Sequence, residues 1–354
     1  WSALDARPLY QWARAIGHLY EAQLRHELTR RLGAAWGPVQ RGIADIDGIA
    51  APVLKAFSTR RAEIEARLAE RGEEGAKAAQ AATYATRRAK DTTLEAGDLQ
   101  EAWRDKATAF GLDDHALAAV LGRQRSLEPP APDSAEADAL YRKLASAEGL
   151  TEARSTFTRR QVIEAVCDNL PMGGRVGDVL ALVDGFLASE HVIALGRQDA
   201  PIMRRANGRL LPTGDVEERW TTPEMLAVEQ ALVLGAAARR HEGAGRATPA
   251  AVDSALAARP TLSAEQRAMV RHLCASGAAV DVIDGVAGSG KTFALAAARE
   301  AWVDAGHRVI GASLAARAAA RLEEGSGIPS TSLDRLIGRI ERGEGLTRSY
   351  VVVV

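Results

Sequence analysis

The stretch Val280–Thr292, with the sequence VDVIDGVAGSGKT, decides the fold of the C-terminal part of the chain. It begins with an apolar run typical of a buried strand, and this run leads directly into Gly285-x-x-x-x-Gly290-Lys291-Thr292. The spacing is the Walker A pattern, in which backbone N–H groups of a glycine-rich loop surround phosphate groups. The following run, Phe293 to Ala305, contains no glycine or proline, which places the loop at a helix N-terminus that favours anions. The sequence therefore predicts a P-loop that binds a nucleotide.

The predicted nucleotide site takes in the whole loop. Its members are Gly285, Val286, Ala287, Gly288, Ser289, Gly290, Lys291 and Thr292. The chain has only six lysines among its 45 basic residues, so a lysine at this position indicates that a compact ammonium is required beside the β- and γ-phosphates. The Thr292 hydroxyl is the predicted protein ligand of Mg²⁺. ATP and Mg²⁺ are the predicted cofactors.

Length and composition set the bounds on the rest of the chain. The 354 residues are enough for two or three domains, and a net charge of -1 excludes a polybasic tail. The two cysteines match no metal-binding spacing, so we expect buried thiols in a reducing compartment. No apolar run is long enough to cross a membrane, and no signal peptide is recognised, so we predict a cytoplasmic protein without membrane insertion.

The region 1–125 is predicted to be mainly helical. Apolar periodicity indicates helices over 8–32, 51–71, 76–90 and 95–110. In the first helix, the same periodicity makes Tyr10 and Tyr20 core-facing, and it leaves His18 and His26 as surface or core residues because their spacing does not suit a metal site. Three prolines in SLEPPAPD, residues 126–133, then indicate a linker, which we place at 126–138.

Two further segments follow the linker. The segment 139–260 is predicted to be an α+β connector, in which two helices precede short strands at 191–195 and 217–222. This order resembles a winged helix, and both a docking module and a generic connector remain open interpretations. From 261 to 354, strands alternate with helices, which predicts part of a RecA-like P-loop domain with a parallel sheet and its ligand at the carboxyl ends of the strands. The predicted fold is therefore mixed α and α/β.

Residues around the loop resemble motifs of helicases. The stretch Leu262–Gln266 resembles the glutamine motif of superfamily 1 helicases, which implies that Gln266 contacts the adenine. The stretches 311–319 and 330–333 look like motif Ia of the RecD-like branch, whose small and hydroxyl residues lie against single-stranded DNA. This resemblance implies DNA contacts by Ser313, Arg317 and Thr331.

The N-terminal region resembles conjugative relaxase-helicases of the MobF type, the TrwC/TraI family. The resemblance rests on residues 24–33 (LRHELTRRLG), 57–64 (FSTRRAEI) and 85–91 (ATRRAKD). In that family a relaxase nicks plasmid DNA at the transfer origin through a tyrosine and a histidine-bound metal, and a 5′-to-3′ helicase on the same chain unwinds it. The resemblance implies single-stranded and plasmid DNA as partners, together with coupling proteins of the conjugative secretion system.

Parts of the family pattern do not fall on this sequence. The relaxase tyrosines and histidines are expected ahead of Trp1, and the Walker B carboxylates after the terminal strand Tyr350–Val354, so we expect a fragment of a longer protein. No residue is nominated as catalytic, and the fragment alone is expected to bind nucleotide weakly and to hydrolyse it poorly or not at all. The clusters Arg60/Arg61 and Arg87/Arg88/Lys90 are compatible with either phosphate contacts or a solvated face with helical ion pairs.

Two other functions fit a Walker A loop. One is a P-loop phosphotransferase that acts on a small molecule, and the other is a non-catalytic docking scaffold that keeps a nucleotide fold. Stimulation of ATP turnover by DNA would separate a DNA motor from a phosphotransferase. Failure to bind ATP would favour the scaffold.

Overall fold

The computed structural model describes residues 7–72, 75–86, 96–122, 134–198, 202–204, 210–212, 217–286 and 288–354. Within these ranges the chain is mostly helical, with three small sheets. It divides between Leu226 and Ala227 into two compact units. None of the described helices combines the length and the apolar character needed to cross a membrane.

Nine helices and four strands are described in the first unit. They are α1 (Arg7–Leu32), α2 (Ala51–Phe57), α3 (Thr59–Arg71), α4 (Ala76–Ala85), α5 (Ala96–Ala109), α6 (Asp114–Val120), α7 (Ser134–Ala145), α8 (Arg159–Asp168), α9 (Val176–Leu187), β1 (Ile193–Gln198), β2 (Ile202–Arg204), β3 (Leu210–Pro212) and β4 (Glu217–Thr221). Strands β1 and β4 pair antiparallel, and so do β2 and β3.

Two predicted boundaries in this unit differ from the structure. The helix predicted over 51–71 is interrupted at Ser58, whose ψ of 45° is not helical, so that this residue ends α2 and begins α3. The linker predicted at 126–138 ends earlier, because α7 already begins at Ser134 and carries Leu144 into the core. Residues 123–133 lie outside the described part of the chain.

The core of the first unit joins α1 to the segment that follows the predicted linker. Ala15 and Ala22 of α1 pack with residues of α7, α8 and α9 and with Phe157 and Trp220, whose backbones pair with each other. The helix approaches closely because its facing residues are small. At Gly173, where φ is +72°, an added Cβ would collide with the Ala22 carbonyl oxygen. Helix α1 thus packs mainly on α8 and α9.

Apolar periodicity indicated the inward face of α1 only in part, because Trp12 and Leu19 pack against the core whereas the tyrosines do not. The tyrosines predicted to face the core, Tyr10 and Tyr20, are 82% and 64% exposed. The buried positions instead include Arg25, which is 1% exposed and donates to the carbonyl oxygens of Gly42 (2.7 Å), Cys167 (3.0 Å) and Leu170 (3.3 Å). Because backbone carbonyls accept from both terminal nitrogens of the guanidinium, a charged side chain occupies a position that a pattern of apolar residues cannot reveal.

His18 and His26, left open between surface and core, are both buried. His18 lies 3.3 Å from the Asp168 carboxylate, and the Nε2 atom of His26 accepts a 3.4 Å hydrogen bond from Arg175. Each histidine therefore joins α1 to the α8–α9 region. Among the described residues, no group of three or more His, Cys, Asp or Glu side chains is arranged to hold a metal ion.

The order of α8, α9, β1 and β4 is the predicted order of two helices followed by a strand pair. Ala194 pairs with Trp220, and Gly196 pairs with Arg219, so the extra residue between them forms an irregularity in β1. The strand pair is held to the helices by Arg160 of α8, which donates to the Glu217 carboxylate at 2.7 Å. The assignment of this segment as a winged helix stays a prediction.

The second unit contains a parallel sheet. After α10 (Pro223–Ala238), its elements are α11 (Pro249–Ala257), α12 (Ala264–Ala275), α13 (Lys291–Asp304), β5 (Arg308–Ser313), α14 (Ala316–Ser326), β6 (Ser330–Ser332), α15 (Leu333–Glu341) and β7 (Tyr350–Val353). The strand order is β6-β5-β7, and both pairs are parallel. The prediction of a parallel sheet is confirmed, although β6 was not predicted.

The strand predicted over 280–284 is absent from this sheet. These residues have no regular secondary structure, and Val282 is 86% exposed. A strand requires hydrogen bonds to a neighbouring strand, and the apolar character of the segment alone does not supply them. The core of the unit is formed instead by α11, α12 and α13 against β5 and β7.

Candidate nucleotide-binding site

The Walker A loop runs into the first turn of α13. Lys291 is the first residue of that helix, and Gly290 is its N-cap with a φ of +76°. Gly288 has a φ of +81°. Because residues with a side chain rarely adopt such angles, glycine is required at both positions for backbone reasons alone. Ala287 lies outside the described residues.

Gln266 connects the loop to α12. Its side-chain amide donates from Nε2 to the Ser289 carbonyl oxygen (2.9 Å), and its Oε1 accepts from the backbone N–H of Ser263 (2.9 Å). Ser263 is the N-cap of α12 and forms a capping box with Gln266. The structure therefore places this predicted adenine ligand against the loop itself, where it fixes the loop relative to the start of α12.

Gly290 is in direct contact with this glutamine. A Cβ added at Gly290 would collide with Gln266 Nε2. The position therefore excludes a side chain for two independent reasons, the positive φ and the close glutamine. At Gly288 an added Cβ would meet no atom within 4 Å, so only the backbone angle applies there.

The Lys291 ammonium lies within the curve of its own loop. Its Nζ donates to the carbonyl oxygens of Gly285 and Val286, the latter at 3.0 Å. A carbonyl oxygen carries only a partial charge, so a phosphate oxygen at the same place would form a stronger, charge-assisted hydrogen bond. The lysine is therefore held where an anion bound by the loop would contact it.

A cavity of about 420 Å³ adjoins the loop. Lys291 and Thr292 line one part of it, Asp281 and Ile283 another, and the residues of β7 a third. Asp281 is engaged by Ser276 and lies 3.3 Å from His272. The Thr292 side chain is half-buried here, and its hydroxyl is the protein oxygen in the predicted site that suits Mg²⁺. The donor set agrees with a metal held mainly by the phosphates of a bound nucleotide.

The three residues predicted to contact DNA lie at one edge of the sheet. Ser313 ends β5 and pairs in register with Ser332, while Thr331 pairs with Ala312. Arg317 is exposed in the first turn of α14, which follows β5. Since β5 and β6 are parallel, their carboxyl ends meet here, with Arg317 in the helix that follows β5. Ser313 and Thr331 are one residue out of register, so their side chains lie on opposite faces of the sheet.

The described arginines of the N-terminal clusters are already engaged within the protein. Arg60 donates to the Thr86 carbonyl oxygen (2.6 Å) and hydroxyl (3.0 Å), and Arg61 pairs with Glu65 (2.8 Å). These contacts favour the interpretation as a helical surface with ion pairs for these two residues. Arg87, Arg88 and Lys90 lie outside the described residues.

Sequence reasoning missed one contact at this site. Gly325, near the C-terminal end of α14, lies directly against the Thr292 side chain. The available signal was a glycine inside an otherwise favourable helical run, where glycine is less stable than alanine.

Comparison with known proteins gives two family matches at opposite ends of the chain. A family model described as TrwC relaxase matches residues 1–110, and one described as an AAA domain matches residues 261–354. Together they form the combination expected from the resemblance. These matches support a MobF relaxase-helicase type for the chain. The relaxase match implies DNA binding, and the AAA match implies nucleotide binding by the region 261–354, which contains the Walker A loop.

Curated relatives agree with this assignment. The conjugal transfer protein TraA of Rhizobium radiobacter is 36% identical over 210 residues, which cover 58% of this chain and 18% of that protein. A probable conjugal transfer protein TraA of Sinorhizobium fredii (strain NBRC 101917 / NGR234) is 29% identical over 184 residues, or 52% of this chain and 16% of the relative. The chain thus spans about a fifth of the length of the curated relatives that it matches.

Proposed function

We propose that this chain is part of a conjugative relaxase-helicase that nicks plasmid DNA at a transfer origin and unwinds it with ATP. Its own contribution is the nucleotide-binding half-site at the Walker A loop. The observation that carries this proposal is the geometry of the loop. Two glycines with left-handed backbone angles lead into α13, and the Lys291 ammonium donates to a carbonyl oxygen of the loop. The TraA proteins are named for conjugal transfer, which supports the DNA-processing context.

The loop residues have distinct roles in the proposed site. Backbone N–H groups of 285–290 and the N-terminus of α13 hold the β- and γ-phosphates of ATP, and Lys291 neutralises their charge. Thr292 supplies a hydroxyl to Mg²⁺, which would balance the charge of the transferred phosphoryl group. Gln266 orients the loop through Ser289 and contacts the adenine when its amide is released from that bond.

The carboxyl edge of β5 and β6 is the proposed contact for single-stranded DNA. Ser313 and Thr331 would donate hydroxyl hydrogen bonds to phosphates, and the Arg317 guanidinium would pair with a phosphate. The RecD-like direction of travel, 5′ to 3′, and coupling proteins of the secretion system as partners belong to the same proposal. The segment 139–260 is proposed as a winged-helix-like α+β connector, with a docking module and a generic connector as its two possible roles.

Stimulation of ATP turnover by DNA tests the proposal in the complete relaxase-helicase. We expect single-stranded DNA to raise the rate of ATP hydrolysis, and Lys291→Ala to abolish the stimulated rate. Lys143→Ala, which removes a lysine exposed on α7, serves as the matched control and should keep it. ATP turnover that ignores DNA would favour the phosphotransferase, and absence of ATP binding would favour the docking scaffold.

Salt dependence tests the proposed DNA edge. Each phosphate contact releases counterions, so Arg317→Ala should reduce the slope of log affinity against log salt by about one, measured with a fluorescent oligonucleotide. Arg61→Ala removes the same charge from a residue already paired with Glu65 and should leave the slope unchanged. Equal slopes for both variants would remove Arg317 from the interface.

A further inference from the structure

We infer that Gly325 is a positioning residue for Thr292. Because Gly325 has no side chain, it leaves space for the Thr292 methyl group, and the Thr292 hydroxyl can then face the nucleotide-bound Mg²⁺. The inference rests on the proposed role of Thr292 and adds a second residue to that site. Gly325 lies in α14, and Thr292 lies in the first turn of α13, so the two helices meet at this point.

The backbone of α14 does not require a glycine at position 325. The residue is helical, and it is not among the glycines of positive φ. Glycine inside a helix costs roughly 1 kcal/mol relative to alanine, because it loses more backbone freedom. Other described helical glycines, such as Gly177 and Gly235, face open space, with nothing within 4 Å of an added Cβ. Gly325 differs from them in its surroundings.

The neighbour of Gly325 is the Thr292 methyl group. A Cβ added at Gly325 would lie 2.7 Å from Thr292 Cγ2 and 3.5 Å from Thr292 Cβ. Carbon atoms that are not bonded to each other attract best at roughly 3.5 to 4 Å, so one of the two groups would have to move. The native glycine therefore leaves the space that the threonine methyl uses.

The helices themselves have little freedom to separate. Helix α13 is buried along the face formed by Ala294, Ala297, Ala298 and Ala301, each 0% exposed. Helix α14 contributes Ala319 and Ser326 to the interior at 2% exposure each. Closely packed protein interiors transmit strain rather than absorb it. A side chain at 325 would therefore act on the Thr292 side chain.

Rotation of Thr292 would redirect its hydroxyl. The methyl and the hydroxyl share one Cβ, and β-branched side chains have few χ1 states in a helix. A rotation that takes the methyl away from α14 therefore moves the hydroxyl by a full staggered step. Because the hydroxyl is the protein oxygen proposed to meet Mg²⁺, binding of the metal–nucleotide complex is the property affected.

Titration of the whole chain with a fluorescent ATP analogue, with excess Mg²⁺ and again with EDTA, tests the inference. We expect Gly325→Ala to weaken binding about tenfold in Mg²⁺ and by less than about threefold in EDTA, because the loop that holds the phosphates is untouched. Gly235→Ala is the matched control, since it makes the same substitution in a helix where nothing lies near the added carbon. It should leave both affinities unchanged.

The double variant Gly325→Ala/Thr292→Ser separates positioning from general damage. Thr292→Ser deletes the methyl and keeps the hydroxyl, so the double variant should bind Mg²⁺–ATP within about threefold of Thr292→Ser alone. Equal Mg²⁺–ATP affinities for Gly325→Ala and the parent chain, or a loss that Thr292→Ser does not relieve, would overturn the inference. If the parent chain itself bound no nucleotide, the proposed function would fail first, and the role of Gly325 with it.

Discussion

Single residues decide the shape of the phosphate-binding loop. Gly288 and Gly290 both have left-handed backbones, but only Gly290 also touches another side chain, the Gln266 amide. The Walker A pattern specifies a glycine at 290, whereas position 288 is one of its four unspecified positions and shows its need for glycine only through its backbone angle. The pattern could not show the glutamine contact, because residues 266 and 290 meet only after α12 and α13 have packed. Gly325 was missed for the same reason.

Alanine substitutions at the two glycines should have unequal effects. Both variants strain the backbone, at a cost of about 1 kcal/mol or more, whereas Gly290→Ala also displaces the Gln266 amide from the Ser289 carbonyl. We expect Gly290→Ala to weaken ATP binding at least about tenfold more than Gly288→Ala, measured by equilibrium titration. Equal losses would mean that the contact with Gln266 does not matter for the loop.

The two cysteines are buried thiols, as the sequence indicated. Burial raises the pKa of Cys167 to about 12, and burial likewise raises the pKa of Cys274 to about 11. A folded-state pKa above the ordinary value of 9.0 means that the folded chain keeps its thiol protons where the unfolded chain loses them. The resulting stability is complete below about pH 9 and is lost progressively as the pH rises through about 11 to 12.

A comparison at two pH values tests this linkage. Between pH 8 and pH 10 the parent chain should lose about 1 kcal/mol of unfolding free energy per buried thiol beyond the loss in Cys167→Ala/Cys274→Ala. Urea denaturation at both pH values measures the difference, and the cavities left by alanine cancel because they are present at each pH. An identical loss in both proteins would show that the thiols titrate normally in the folded state.

At the scale of elements, apolar periodicity predicted where the helices lie along the chain better than it predicted which of their faces are buried. The helix predicted over 8–32 is α1, yet its tyrosines point outward, and its buried face carries Arg25, His18 and His26. Apolar spacing identifies a helix that packs through large apolar residues, whereas α1 packs through alanines and buried polar groups as well as through Trp12 and Leu19. The strand predicted over 280–284 was wrong for a different reason. An apolar run forms a strand only beside a partner strand, and the sequence does not specify that partner.

Removal of the Arg25 side chain should destabilise the first unit strongly. Burial lowers the pKa of its guanidinium, but arginine is basic enough to stay charged at neutral pH. Arg25→Met leaves the carbonyl oxygens of Gly42, Cys167 and Leu170 without this donor, so we expect a loss on the order of 3 kcal/mol in unfolding free energy.

The control for this variant is Arg14→Met on the same helix. The Arg14 side chain is 67% exposed and forms an ion pair with Glu164 at 3.1 Å, so its loss should cost less than about 1 kcal/mol. Urea denaturation followed by circular dichroism compares the two variants. Similar midpoints would contradict the view that Arg25 holds α1 to the α8–α9 region.

At the scale of the whole molecule, local motifs carried the prediction of family and function. The Walker A loop and the N-terminal stretches led to a MobF-type resemblance, which the matches at 1–110 and 261–354 confirm. The division of the chain was harder to predict. The composition of 126–133 suggested a boundary, whereas the structure joins α1 to the segment beyond it through one core and divides at Leu226. Proline-rich composition reports a break in regular structure and carries no information about which elements share a core.

Nucleotide binding by this chain tests the central claim most directly. Equilibrium titration with Mg²⁺–ATP should show weak, saturable binding by the parent chain, unchanged binding by Lys143→Ala, and a loss of at least about tenfold in Lys291→Ala. That result would establish the Walker A loop as the nucleotide site. Equal binding by the parent chain and Lys291→Ala, or no binding by any of the three, would contradict the account.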